Sequence, residues 1–93
     1  MNKVIAVSAN TDFSLDLKFS DGSMKRFDVK PYLDRGIFTE LKNIDYFKQA
    51  RVAFGTVQWP NEQDIAPETL YLDGIAIDEA NTNLPSESDL TIA

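Results

Sequence analysis

The sequence predicts an α+β fold, in which a small antiparallel β-sheet of β-hairpins packs against one main α-helix and a short C-terminal helix. From Phe13 to Phe19 every odd position is apolar and every even position is polar. This alternation is typical of a strand with one buried face and one solvated face, as antiparallel sheets have. Between Ile37 and Phe47 apolar residues recur at intervals of three and four, which indicates a helix. Pro67 fits the first position of the short second helix.

The first hairpin can be predicted together with its register. Asp-Gly at 21–22 is a strong hairpin signal, and the odd-numbered apolar face resumes beyond it. Because cross-strand partners share a face, pairing odd positions with odd positions requires a loop with an odd number of residues. A loop of residues 20–22, with its glycine in the left-handed conformation, places Leu15 opposite Phe27 and Phe13 opposite Val29.

Shorter signals predict the elements around this hairpin. The β-branched run at 4–7 forms a first strand, and the main helix extends over 37–49. Asn43 favours an interruption of that helix, because asparagine has low helix propensity and a side chain that caps helices. Leu-Asp-Gly at 72–74 ends the short helix, and residues 75–77 form a last edge strand.

A second hairpin is predicted in the middle of the chain. Two apolar runs flank Gly-Thr at 55–56, which fits a two-residue turn. With the turn at these residues, Phe54 faces Val57 and Val52 faces Trp59.

The length and composition predict one domain at residues 1–78 and a flexible C-terminal tail at 79–93, where loop-forming residues dominate. The hydrophobic fraction of 43% and the charged fraction of 26% are those of ordinary globular proteins. The sequence has neither a run of apolar residues long enough to cross a bilayer nor a signal peptide, so we expect a cytoplasmic protein without membrane contact.

The residue types present argue against catalysis and against nucleic acid as a direct partner. Cysteine and histidine are absent, which removes the commonest general base and the commonest metal ligands. We therefore expect no enzyme, no cofactor and no metal. The net charge of −6 repels phosphate backbones and favours a basic protein partner, although acidity also serves solubility. The sequence leaves open whether the protein forms a homo-oligomer.

The candidate binding residues lie between the only tryptophan and the tyrosine that follows the second helix start: Trp59, Asn61, Asp64, Glu68 and Tyr71. Trp and Tyr are frequent interface anchors, and prolines in this segment lower the ordering cost of binding. A structural role is the more frequent outcome, with the aromatic residues in the core and Asp64 capping the short helix. Asp64 and Glu68 could also converge as a carboxylate pair, but their spacing alone is weak evidence for a metal or a catalytic site.

Several segments resemble the bacterial family called domain of unknown function 2442. They are the hairpin at 19–22, the step at 28–33, the segment at 36–41, Trp59-Pro60-Asn61, and residues 64–68 with Leu70-Tyr71. The resemblance covers residues 3 to 72. The chain departs from the family pattern at Glu62, where glycine is common, which argues against a turn with positive φ there.

The resemblance implies two settings, since some relatives carry a helix-turn-helix domain after this module and others look like one member of a toxin-antitoxin gene pair. Our leading interpretation is a small protein-binding module, the antitoxin-like member of such a two-gene pair. The alternative is a regulatory or ligand-sensing module that works with a DNA-binding domain. A pocket lined by Trp59 and Tyr71, with Asp64 at its mouth, would favour this alternative.

Overall fold

A computed structural model describes residues 2–84, and this part of the chain forms two antiparallel sheets joined by short helices. The strands are β1 Val4–Ala9, β2 Ser14–Phe19, β3 Met24–Asp28, β4 Arg51–Ala53, β5 Thr56–Gln58, β6 Asp64–Ile65 and β7 Ile75–Ala76. The α-helices are α1 Ile44–Phe47 and α2 Pro67–Asp73, and 3₁₀ helices span Lys30–Tyr32, Gly36–Lys42 and Glu79–Asn81. The sheets have the spatial orders β1-β2-β3-β7 and β4-β5-β6. This architecture agrees with the predicted α+β class.

The first hairpin has the predicted register. Leu15 pairs with Phe27 in the antiparallel β2–β3 ladder, and the Val29 N–H donates to the Phe13 carbonyl over 2.9 Å. Gly22 has a φ of 87°, so the loop contains the expected left-handed glycine. The odd-numbered side chains of β2 are fully buried in the core. The alternation therefore predicted the buried face of this strand correctly.

The other face of β2 differs from the prediction of a solvated surface. Ser14 and Asp16 are buried. The chain returns over Asp16 after β7, where Thr82 and Asn83 form hydrogen bonds to its carboxylate, and the Ser14 hydroxyl forms hydrogen bonds with Asn10 and Asp12. The predicted domain boundary at residue 78 stays a prediction. Residues 85–93 of the predicted flexible tail lie outside the described residues.

The main helix is broken where Asn43 stands, and it is not one α-helix. A 3₁₀ helix, Gly36–Lys42, leads into the four-residue helix α1. Asn43 has an extended ψ of 112°, and its side-chain oxygen accepts hydrogen bonds from the N–H groups of Asp45 and Tyr46. Capping by Asn43 thus ends one helical segment and begins the next. Two short helical segments thus stand in place of the single helix expected over 37–49.

The predicted register of the second hairpin is wrong by one residue in the turn. Val52 pairs with Val57 and Ala53 with Thr56, so the two turn residues are Phe54 and Gly55. Both have positive φ, 54° and 76°, as a type I′ turn requires. The right-handed twist of the strands favours such turns, and here a phenylalanine takes a position that asparagine or glycine normally occupies.

The remaining predicted elements are present. β7 pairs antiparallel with β3 as an edge strand. α2 begins at Pro67 and ends at Gly74, whose N–H donates to the Leu70 carbonyl. A Cβ on Gly74 would lie 2.6 Å from that carbonyl oxygen, so this close approach requires glycine. The two sheets meet where the Val4 N–H donates to the Gly55 carbonyl over 2.9 Å.

Candidate functional site

Trp59 belongs to the core and is not accessible to a partner. Its side chain is fully buried, and its indole N–H donates to the Phe47 carbonyl over 2.8 Å. The rings of Phe47 and Trp59 are 5.8 Å apart, centroid to centroid. A buried tryptophan needs such a partner for its N–H. The interpretation of Trp59 as an interface anchor is therefore replaced by the structural role.

The loop after Trp59 has a residue with positive φ at position 62, where the sequence argued against one because the residue is not glycine. Glu62 has a φ of 71°. Its N–H donates to the Trp59 carbonyl, and the Trp59 N–H donates to the Gln63 carbonyl, both over 2.9 Å. These two hydrogen bonds close the loop around the strained residue. The departure from the family pattern at Glu62 thus leaves the turn intact.

Asn61 takes part in a hydrogen-bond network that ties this loop to the helical segment. The Tyr46 hydroxyl donates to Gln63 Oε1 over 2.7 Å and accepts from the Asn61 N–H over 2.8 Å. The side-chain amides of Asn61 and Gln63 donate to the Glu40 carboxylate over 2.7 and 2.9 Å. These donors lower the pKa of Glu40. No spacing in the sequence predicts this network, because its members are far apart along the chain.

Asp64 does not cap α2. It lies in β6, where it pairs with Gln58, while the N-cap of α2 is Ala66, which makes no side-chain cap hydrogen bond. Among residues 2–84, no three Asp or Glu side chains are placed to hold a metal ion together.

Glu68 and Tyr71 do come together, in an open pocket of about 300 Å³ that Asn2 and Leu72 also line. The Tyr71 hydroxyl donates to Asp21 Oδ2 over 2.7 Å. This hydrogen bond raises the pKa of Tyr71. The tyrosine is therefore held in a fixed position as one wall of the pocket.

Residues of the first hairpin also hold Tyr71, the wall of the pocket, in place. The Ser23 hydroxyl and N–H, together with the Tyr71 hydroxyl, lower the pKa of Asp21 to about 2, so its carboxylate is charged at neutral pH. The Tyr71 ring packs edge-on against Phe19 at 5.0 Å between centroids. The ammonium of Lys25 lies 4.2 Å from the centroid of the Tyr71 ring. Trp59 does not line this pocket, because its side chain is fully buried.

Exposed apolar side chains lie on and near this pocket, and the part of the chain that contains α2 is acidic. Leu72 is 77% exposed and Ile75 is 74% exposed, which places two large apolar side chains in water within one short stretch. All nine basic residues of the chain lie within residues 1–51, whereas residues 52–93 carry eight acidic residues and no basic one. Glu68 and Tyr71 are among the candidate binding residues selected from the sequence, whereas Leu72 is not.

The comparisons with known proteins identify a family but no activity. The described residues contain no helix with the length and apolar character needed to cross a membrane. No curated protein and no solved structure matches the chain. A family model described as "Protein of unknown function (DUF2442)" matches residues 4–76, which is most of the chain. The chain therefore belongs to the DUF2442 family of proteins of unknown function.

Proposed function

We propose that this chain is a protein-binding module that takes a basic partner on the α2 surface, which we define as Glu68, Tyr71, Leu72 and Ile75. The observation that carries the proposal is Leu72, an apolar side chain that is 77% exposed on the rim of an open pocket. Water-exposed apolar groups beside a concave site are typical of docking surfaces. The proposal assigns binding and no catalytic step.

The charge distribution supports a basic partner and suggests its orientation. Glu68, which lines the pocket, and Asp73 are both exposed residues of α2. Lys25 belongs to β3, where its ammonium is already held over the Tyr71 ring. A partner whose apolar side chain enters the pocket would therefore place its own cations on the helix side. Complementary charge of this kind raises the association rate and makes it dependent on salt.

An antitoxin-like role is one case of this function, in which the basic partner is the product of the neighbouring gene in a two-gene pair. The net charge of −6 and the resemblance described above support it. Co-expression of the two genes tests this case. Recovery of a complex that dissociates in high salt supports it, and separate elution of the two proteins at low salt refutes it.

The α2 surface itself is tested with a matched pair of variants. Leu72→Asp adds a charge to the rim of the pocket, and Ile37→Asp makes the same type of change at a side chain that is 66% exposed on the 3₁₀ helix Gly36–Lys42. Both positions are exposed, so both variants are expected to fold. Leu72 would be buried by the bound partner, so its replacement in Leu72→Asp is expected to weaken binding by about tenfold or more.

The probe is a short peptide with one leucine flanked by lysines, and its control has glutamate in place of each lysine. The basic peptide is expected to shift the amide resonances of Asn2, Glu68, Tyr71 and Leu72, with weaker binding to Leu72→Asp but not to Ile37→Asp. Glu68→Gln is expected to reduce the salt dependence, and Glu62→Gln is its control on the distant loop. Equal binding of the acidic peptide, or equal effects of Leu72→Asp and Ile37→Asp, would refute the proposal.

A further inference from the structure

A second candidate site lies on the covered face of β2, away from the α2 surface. The Asp16 side chain is fully buried there and forms an ion pair with Arg26, through Nε to Oδ1 at 2.7 Å and Nη2 to Oδ2 at 3.1 Å. Arg26 Nη2 also donates to the Asn81 carbonyl over 2.7 Å. The Asn83 N–H donates to Asp16 Oδ2 over 2.7 Å. The ion pair thus contacts the main chain of the segment that covers it.

Side chains add selectivity to these main-chain contacts. The Thr82 hydroxyl donates to Asp16 Oδ2 over 3.3 Å, and the Asn83 amide donates to Asn10 Oδ1 over 2.7 Å. Leu84 follows and is buried, although it is not part of the main core cluster. The face therefore holds residues 81–83 by one main-chain carbonyl, one main-chain N–H and one hydroxyl, and the next residue, Leu84, is buried.

The covered face and the segment that covers it differ in their relation to the family. Asn10, Asp16 and Arg26 lie within the matched residues 4–76, whereas residues 81–84 lie beyond them. A buried carboxylate is stable only when donors satisfy its oxygens. Without the segment, Asp16 would lose the Asn83 N–H and the Thr82 hydroxyl as donors. The matched part of this chain thus carries a set of polar groups that the chain's own later residues fill.

We propose that the Asp16–Arg26 pair forms a peptide-binding site, in which residues 81–84 act as an intramolecular ligand. An extended segment of another protein takes their place when it carries serine or threonine two residues before an aliphatic side chain. The main-chain contacts accept many sequences, and the hydroxyl and the aliphatic side chain select among them. This site is independent of the α2 surface, so either proposal can fail without the other.

The tethered segment competes with any external peptide. A segment on a short linker acts at an effective concentration on the order of 1 mM. An external ligand must exceed this competition, so the site in the unsubstituted chain binds weakly until the segment is released. Weakening the segment is therefore expected to increase the affinity for an external peptide by about tenfold or more.

The experiment uses the full chain with Thr82→Val and Asn83→Pro. Thr82→Val removes the hydroxyl, and Asn83→Pro removes the N–H, that donate hydrogen bonds to the Asp16 carboxylate. Thr82 already has φ −93° and ψ 148°, which a following proline favours, so the backbone is not strained there. The probe is a fluorescent peptide with the sequence of residues 78–84, and its control is the same peptide with Asn83→Pro. Fluorescence anisotropy gives the affinities, and amide resonances of Asn10, Asp16 and Arg26 locate the site.

Tighter binding of the probe to the double variant than to the unsubstituted chain, with no binding of the control peptide, supports the site. A second measurement needs no substitution: saturating probe is expected to speed amide hydrogen exchange at Asn83 and Leu84 in the unsubstituted chain. If the double variant shows no saturable binding, or if the probe and the proline peptide bind equally, the segment is only part of the fold and the proposal is overturned.

Discussion

Phe54→Asn is expected to stabilise the protein although it removes a large aromatic side chain. Phe54 has a φ of 54° and is 95% exposed, so its ring keeps almost no apolar area from water and its loss costs about 0.2 kcal/mol. The left-handed conformation of a bulky residue costs roughly 1 kcal/mol or more. Asparagine tolerates this conformation, and Asn-Gly is a favoured type I′ turn. The net gain is therefore about 1 kcal/mol.

Urea unfolding followed by fluorescence measures this gain, because the chain has one tryptophan and Trp59 is fully buried. For a domain of this size, 1 kcal/mol corresponds to a rise in Tm of about 4–8 °C. Phe54→Ala is the control, since it removes the ring and retains the left-handed strain. We expect Phe54→Ala to stay within about 0.5 kcal/mol of the unsubstituted chain. Equal stability of Phe54→Asn and Phe54→Ala would refute the assignment of strain to this turn.

Three further substitutions test the buried polar groups and the close glycine. Burial opposes ionisation of Asp16, but hydrogen bonds from its partners lower its pKa below the ordinary value of 3.8. The ionised carboxylate therefore stabilises the fold above pH 3.8, and this stabilisation is lost as the pH falls through the lowered pKa of the folded state. Asp16→Asn is therefore expected to cost about 2 kcal/mol in urea unfolding at neutral pH and less at about pH 3; an equal cost at both would contradict the charge argument. Tyr46→Phe leaves the buried Gln63 oxygen without its donor and is expected to cost about 1–2 kcal/mol, and an unchanged urea midpoint would show that the network is unimportant for stability. Gly74→Ala is expected to cost about 1–3 kcal/mol, measured as a drop in Tm, because its Cβ would lie 2.6 Å from the Leu70 carbonyl oxygen; no drop would mean that the helix end relaxes freely.

The first hairpin and the short C-terminal helix could be predicted because local physics decides them. Period-two alternation identified the buried face of β2, and the parity of the loop fixed its register at Gly22. Pro67 and Gly74 marked the two ends of α2 correctly, since proline fits a first helical turn and the helix packs closely at its end. In each case, the deciding contacts lie between residues close together in the sequence.

The errors arose where distant residues or rare conformations decide the structure. Asp16 was predicted to be solvated, but its donors include Asn83, 67 residues further along the chain. The second turn was misplaced because phenylalanine at positive φ is uncommon, so Phe54 was assigned to a strand. For the candidate site, the burial of Trp59 is the structural role that the sequence favoured, whereas the predicted cap on α2 by Asp64 is wrong because Asp64 pairs with Gln58 in β6. Tertiary context therefore overrides the local signals at these positions.

Three described residues other than glycine have positive φ: Phe13, Phe54 and Glu62. The fold stabilises two of them, since the Phe13 ring packs edge-on against Phe47 at 5.2 Å and the Glu62 N–H donates to the Trp59 carbonyl. The ring of Phe54 has little comparable contact, because it is 95% exposed. A gain in stability for Phe54→Asn would thus mean that this ring does not serve folding. Measuring the basic peptide against the same variant separates two outcomes: weaker binding extends the α2 surface to the hairpin tip, and unchanged binding confines the contact to α2.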